Sequence, residues 1–209
     1  MHPSKSERVA GVVLAAGSSS RLGQNKLLLD LGGETVIRRA VRNATEAGLD
    51  PVIVVLGHDA GRVQAELLGL SCRSVVNPHH AEGVRTSLQL GIREVADDVH
   101  ALVIVLADMP FVTAAMIRAV AERRRETGAP LVISQYGEAP GAAPVDAPPI
   151  LYDRSLFAEL LSMTGERCAK RVVQRHRDEA SILCWPEQSL RDIDVAEDYE
   201  YARAHVAGG

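Results

Sequence analysis

Short runs of apolar, β-branched residues punctuate the first half of the chain: Arg8–Gly17 (RVAGVVLAAG), Pro51–Gly57, Cys72–Asn77 and Ala101–Pro110. Each is nearly continuous rather than alternating, the pattern of a strand buried on both faces. Between them the apolar spacing becomes helical. Residues 34–48 bring Val36, Ile37, Ala40, Val41 and Ala44 to one face, and helices are also expected over 59–69 and 82–98. Strand and helix in alternation predict an α/β fold: a mostly parallel sheet with right-handed crossovers, helices on both sides, and a ligand crevice outside the carboxyl ends of the strands.

The second half is less regular. Thr113 to Thr127 reads as a helix, and the Pro-, Gly- and Ala-rich stretch 136–149 as an irregular loop. Helices are expected over 153–163 and 168–178, a strand over 180–185, and a capped terminal helix over 192–206. With no internal repeat and no linker, the 209 residues are expected to form one domain spanning 1–209.

Composition narrows the function. A net charge of −4 without a dense Lys/Arg segment gives no general attraction to a nucleic-acid backbone or an acidic membrane surface, so neither is an expected partner. The opening MHPSKSER is polar and leads straight into a strand-like run, and no apolar stretch reaches spanning length, so a cytoplasmic protein is expected. Cys72, Cys168 and Cys184 are odd in number and far apart, which points to buried, reduced thiols rather than a disulfide framework or zinc cage.

The stretch LAAGSSSRLGQNK, Leu14 to Lys26, turns out of the first strand through small residues and carries two cations. Backbone N–H groups in such a turn form a nest for phosphate oxygens, or the stretch is an ordinary strand-to-helix turn. It is not a P-loop, which would need glycine at Leu22, nor a dinucleotide fingerprint, which would need glycine at Ser19. A nucleophile elbow centred on Ser19 would need glycine at Arg21.

The same stretch resembles the signature L-A-[AG]-G-x-S-x-R-[ML]-G-x-x-K of the MobA-like nucleotidyltransferases, the group of the molybdenum-cofactor cytidylyl- and guanylyltransferases. Further segments match in order: NPHHAEGVRTSLQLGI, LADMPFV as a D-x-P strand end, and DIDVAEDY against D-I-D-T-P-E-D-Y. The resemblance implies a three-layer Rossmann-like nucleotidyltransferase fold. It also implies that backbone at Leu14, Ala15 and Ala16 meets the base of a nucleoside triphosphate, while Gly17, Ser18, Arg21 and Lys26 meet the phosphates. Gly83, Arg85 and Ser87 fall where the family closes over base and ribose, with Asn77, counted among the nucleotide-binding residues, as the expected anchor of that loop. Alanine at Ala16 accompanies cytosine in this group and glycine guanine, so CTP is the expected substrate and GTP the alternative.

Asp108 ends an apolar strand; from its own surroundings it is either a turn residue or a metal ligand. Asp194, with Glu197 three residues on, resembles a helix capping box. Both match carboxylates that hold Mg2+ in the family, with Asp192 the neighbouring alternative, and magnesium accepts such oxygen ligands alongside substrate phosphates. The resemblance implies CMP transfer from CTP to the terminal phosphate of a molybdopterin-type cofactor, with Lys26, Arg21 and Asp108 as the catalytic set, and a molybdoenzyme maturation partner. His79 and His80 are read as loop residues, and Arg123, Arg124 and Arg125 as a solvated helix face.

The match departs from the family in the acceptor half. A family G-H-P appears here as GAAPV or APPILY, and G-D-x-G-A-R as GERCAK, with Cys168 and Lys170 at the changed positions. These departures leave open a guanylyltransferase, an NTP transferase with another phosphorylated acceptor, or a redox or accessory nucleotide-binding protein on the same scaffold.

Overall fold

The computed structural model describes residues 7–18, 22–137, 143–165 and 167–206. At its centre is one mixed sheet. Strands β1 (Val9–Ala15), β2 (Val52–Leu56), β3 (Arg73–Val76) and β4 (Ala101–Leu106) run parallel in the order β3-β2-β1-β4. The sheet continues through the antiparallel β7 (Ile150–Asp153) to β5 (Leu131–Tyr136). β5 pairs with the two-residue β6 (Val145–Asp146) and, in parallel, with β8 (Ser181–Trp185).

Period-two alternation splits each central strand between two cores. Val9, Val13 and Ala15, with Val52, Val54, Leu56, Ala101, Val103 and Val105, face α1 (Val36–Glu46) and α4 (Ala114–Thr127). Ala10 and Val12, with Ile53, Val55, Leu102 and Ile104, face α3 (Val84–Arg93), α5 (Phe157–Ser162) and α6 (Cys168–Arg175). The expected three layers are therefore present. α2 (Ala60–Ala65) and α7 (Ala196–Val206) add Val63, Ala202 and Val206 to the first core. α3 lies unusually close to the sheet: a Cβ on Gly91 would sit 2.4 Å from the Val12 side chain.

Several expectations are corrected. Val145–Asp146 is a short strand inside the stretch read as an irregular loop, and two further strands, Leu131–Tyr136 and Ile150–Asp153, fall largely where the sequence pattern assigns no element. The expected helix over 153–163 is a 3-10 turn, Arg154–Leu156, followed by α5. Arg124 does not belong to a solvated face. Its side chain is 11% exposed and pairs with Asp153 at 2.5 Å and with Glu7, fastening α4 to β7 and to the segment before β1. Of the three free cysteines only Cys168 is buried, while Cys184 is exposed on β8.

Sheet order reverses direction at the β1–β4 pair, and a parallel sheet opens its crevice at such a switch point. Register brings Leu14 opposite Leu106 on one side and Val55 on the other. The chain thus leaves β1 at Ala16 beside Asp108 and Gly57.

Candidate active site

Leu14 closes the sheet end by accepting the Ala107 N–H at 3.1 Å. Ala15 and Ala16 are buried, whereas Gly17 and Ser18 are exposed and open the loop. Arg21 lies outside the described residues. The chain then makes a 3-10 turn, Lys26–Leu28, capped by the Asn25 side chain, which accepts the Leu27 N–H at 3.0 Å. Leu27, Leu29 and Leu31 are buried beneath it, which turns Lys26 towards the crevice. The Asn25 Nδ2 is a buried nitrogen without a hydrogen-bond partner.

The Lys26 ammonium lies 2.8 Å from the Asp108 Oδ2 and 2.8 Å from the Asp194 Oδ1. Burial pulls its pKa down, but the two carboxylates outweigh burial and leave it raised. Lys26 is therefore a charged ammonium throughout the neutral pH range.

Asp108 is carried on a segment tied at several points. Arg39 of α1 donates to the Pro110 carbonyl at 3.3 Å, and the buried Asn43 donates to that of Val112 at 2.9 Å. The Asp108 carbonyl itself accepts the Ile193 N–H at 3.0 Å. Ile193 is fully buried, so alternation turns both of its neighbours outward. Ligand oxygens of Asp108, Asp192 and Asp194 consequently all lie within 4.8 Å of one another. Asp192 and Asp194, alternatives in the sequence, are present together. Burial, then Asp194, then Asp108 push the Asp192 carboxyl above its ordinary pKa. The capping-box reading of Asp194 is replaced: Asp198, not Glu197, reaches back to the Val195 N–H at 3.0 Å and the Asp194 N–H at 3.1 Å. One oxygen of the Asp194 carboxylate meets Lys26. A set of hard, anionic oxygens this close suits a divalent Mg2+ or Mn2+ rather than a thiophilic metal.

The neighbouring wall comes from the loop after β3. Asn77, 2% exposed, donates to the Thr86 and Ser87 hydroxyls at 2.9 Å each and accepts the His79 N–H at 2.9 Å. This holds the start of α3, where Gly83 has φ +104°, against the end of β3. The Ser87 hydroxyl is buried in this anchor. Gly57, not singled out in the sequence, locks the two loops together. A Cβ there would lie 2.7 Å from both the Ala16 carbonyl and the His80 side chain. Gly57→Ala is expected to weaken nucleotide binding about tenfold and cost about 1–3 kcal/mol of stability, since the Ala16 backbone must shift. Isothermal titration and a denaturant melt check it; unchanged binding would show that the loop contact is not needed.

In the other half, the Pro148 and Pro149 carbonyls accept from Tyr136 and Ser134 at 2.6 Å each, and Trp185 donates to Ser134 at 2.9 Å. Cys168 points into the core, and Lys170 is exposed.

The profile of the MobA-like NTP transferase domain matches residues 11–180, most of the chain. The chain belongs to the MobA-like NTP transferase family. It is 29% identical over 219 residues to the purine catabolism protein PucB of Bacillus subtilis, a match covering 95% of this chain and 98% of PucB. It is 30% identical over 167 residues to a probable molybdenum cofactor guanylyltransferase of Opitutus terrae, covering 79% of this chain and 77% of that one. Among solved structures, Rv0371c of Mycobacterium tuberculosis H37Rv superposes with a TM-score of 0.80 at 27% identity, over 96% of this chain and 100% of its own. A complex of Rv0371c with manganese gives a TM-score of 0.74 at 25% identity, over 95% and 100%. This MobA-like protein is thus a nucleotidyltransferase with the nucleotide-diphospho-sugar transferase fold. No helix among the described residues of the MobA-like chain is long and apolar enough to cross a membrane.

Proposed function

We propose that this chain, as one domain over 1–209, transfers CMP from CTP to the terminal phosphate of a molybdopterin-type acceptor and releases pyrophosphate, with Mg2+ as the metal. The observation that carries the reading is the Lys26 ammonium held between Asp108 and Asp194 at the end of the glycine loop. Polyphosphate needs such a local cation in a protein of net charge −4. One charge pair at about 4 Å and an effective dielectric near 20 is worth about 4 kcal/mol before desolvation.

On this reading Leu14, Ala15 and Ala16 meet the base, Gly17, Ser18, Arg21 and Lys26 the phosphates, and the Asn77–Gly83–Ser87 wall the nucleoside. The methyl of Ala16 narrows the base subsite and favours the smaller pyrimidine. Asp108 and Asp194, with Asp192 beside them, hold the metal, which when bound supplies Lewis-acid charge to the triphosphate. Lys26 donates to the phosphate oxygens that become pyrophosphate. The acceptor phosphate is already anionic near neutral pH and attacks the α-phosphorus in line, so no side chain is required as a general base. Catalysis is positioning and charge neutralisation. A molybdoenzyme maturation partner would receive the product.

The test is label transfer from α-labelled CTP or GTP to a phosphorylated pterin with Mg2+, alongside binding of NADPH. CTP is expected to be preferred over GTP by about tenfold or more, within the range that one small group at a binding pocket supplies. Preference for GTP would overturn the base assignment, label appearing only on another phosphorylated acceptor the pterin assignment, and binding of NADPH alone the transferase reading of this site.

A further inference from the structure

The same ammonium that the transfer reaction needs occupies the oxygens that the metal needs. Lys26 is bonded at 2.8 Å to one oxygen of Asp108 and at 2.8 Å to one of Asp194, two of the three carboxylates whose ligand oxygens gather within 4.8 Å. A Mg2+ ion binds carboxylate oxygens at about 2.1 Å. An ion held by Asp108 and Asp194 would share these carboxylates with the ammonium, a repulsion little screened where the lysine side chain is only 13% exposed. The two cations compete for one seat.

We propose that Lys26 is the resident cation of the nucleotide-free carboxylate cluster and excludes the free divalent ion until a triphosphate draws the ammonium away. The inference rests on the reading that polyphosphate binds at the glycine loop. The ammonium sits on a flexible four-carbon stem, and the stem is rooted in a 3-10 turn fixed by Asn25 and by buried Leu27. Its head can therefore swing without moving the loop. Arriving phosphates offer the ammonium new anionic partners, and the carboxylates it leaves become ligands for an ion that enters with, or after, the nucleotide. When metal and pyrophosphate depart, Lys26 returns. Lys26 thus sets the order of addition as well as neutralising the leaving group, and a metal-loaded, nucleotide-free enzyme does not accumulate.

Mn2+ binding to the full chain, followed by the loss of its free-ion paramagnetic resonance signal, tests this without any turnover. In the absence of nucleotide, Lys26→Met is expected to bind one Mn2+ about tenfold or more tightly than the wild type, the effect of removing one unit charge at close range. Adding Asp108→Asn to the same protein should abolish the gain. Equal or weaker binding by folded Lys26→Met would overturn the proposal. A measurement on the wild type guards against a variant that does not fold: Mg2+ alone should leave the 15N signal of the Lys26 ammonium in place, and Mg2+ with inorganic triphosphate should shift it. An equal shift with Mg2+ alone would overturn the exchange. The probe carries no base, so a preference for GTP over CTP would fell the cytidylyl reading while leaving the exchange standing.

Discussion

Lys26→Ala is expected to lower kcat for nucleotidyl transfer by about 10³-fold, the cost of deleting one preorganised charge aimed at developing negative charge. The geometry argues for so large an effect. The ammonium approaches from a turn anchored by the buried Leu27 and capped by a buried asparagine, so water cannot reproduce its position when the side chain is removed. Ground-state affinity for the nucleotide should change less than turnover, because charge on the pyrophosphate oxygens grows in the transition state. Lys26→Arg should recover part of the rate, since charge is kept but the compact head is not. The fold should persist: the abandoned carboxylates of Asp108 and Asp194 are 25% and 46% exposed and can be hydrated. Pyrophosphate release at saturating CTP and Mg2+, with a thermal melt on the same preparations, measures both parts. A loss smaller than tenfold would show that the leaving group is neutralised elsewhere. Excess metal is not expected to restore the rate of the alanine variant, even though that variant takes up metal more readily, because the metal does not replace the ammonium at the leaving phosphates.

Much of this site was legible because its scaffold follows a strong pattern. β1, β2 and β4 are buried on both faces, so their apolar runs stand out, and the residues that end them, Ala16, Gly57 and Asp108, meet at one edge of the sheet. β5 and β7 were hidden for opposite reasons. Leu131–Tyr136 follows a proline and ends in Ser-Gln-Tyr, so its apolar core is only three residues long before polar atoms intrude. The apolar residues of Ile150–Asp153 run on into those of the next helix, so that 150–163 reads as one mixed pattern. What orients β7 antiparallel is tertiary: the pairing of Val103 with Leu151 and the contacts of Arg124 with Asp153 and Glu7, none of which leaves a local mark.

The acidic cluster teaches a narrower point. Asp-Ile-Asp looks like a choice between two ligands when it is read as the start of a helix. Read as extended chain, an apolar residue between two acids is the period-two signal of an inward side chain with both neighbours outward. The structure follows the second reading, with Ile193 buried and its N–H on the Asp108 carbonyl. Asn43 carried a signal as well: an amide on the apolar face of a helix needs a partner, and it finds the carbonyl of Val112 in the loop that carries Asp108. Gly57 gave none, because only the loops it separates reveal what a Cβ would strike.

Asp108→Asn is the second change expected to act at the level of about 10³-fold in turnover. Asparagine matches aspartate in shape, and the backbone on either side stays tied through Ile193, Arg39 and Asn43, so the loop has no reason to move. What disappears is one negative charge and a strong oxygen ligand from a set of three. The amide also opposes Lys26: if its nitrogen takes the place of Oδ2, two donors meet at a distance that suits a charge-assisted bond. Asp108 should outrank its neighbours. Its side chain is 25% exposed against 46% for Asp194, so its charge is less screened, and β4 holds it rigidly at the switch point. Asp194→Asn is therefore expected to cost less than Asp108→Asn, and Asp192→Asn less again, because the Asp192 carboxylate is the one whose charge burial and then its acidic neighbours already disfavour. Titrating turnover against Mg2+ separates the effects. A lost ligand raises the metal concentration needed for half-maximal rate, and saturating metal recovers part of the activity, whereas a distorted loop lowers the plateau alone. Full activity of Asp108→Asn at low Mg2+ would remove this carboxylate from the metal site.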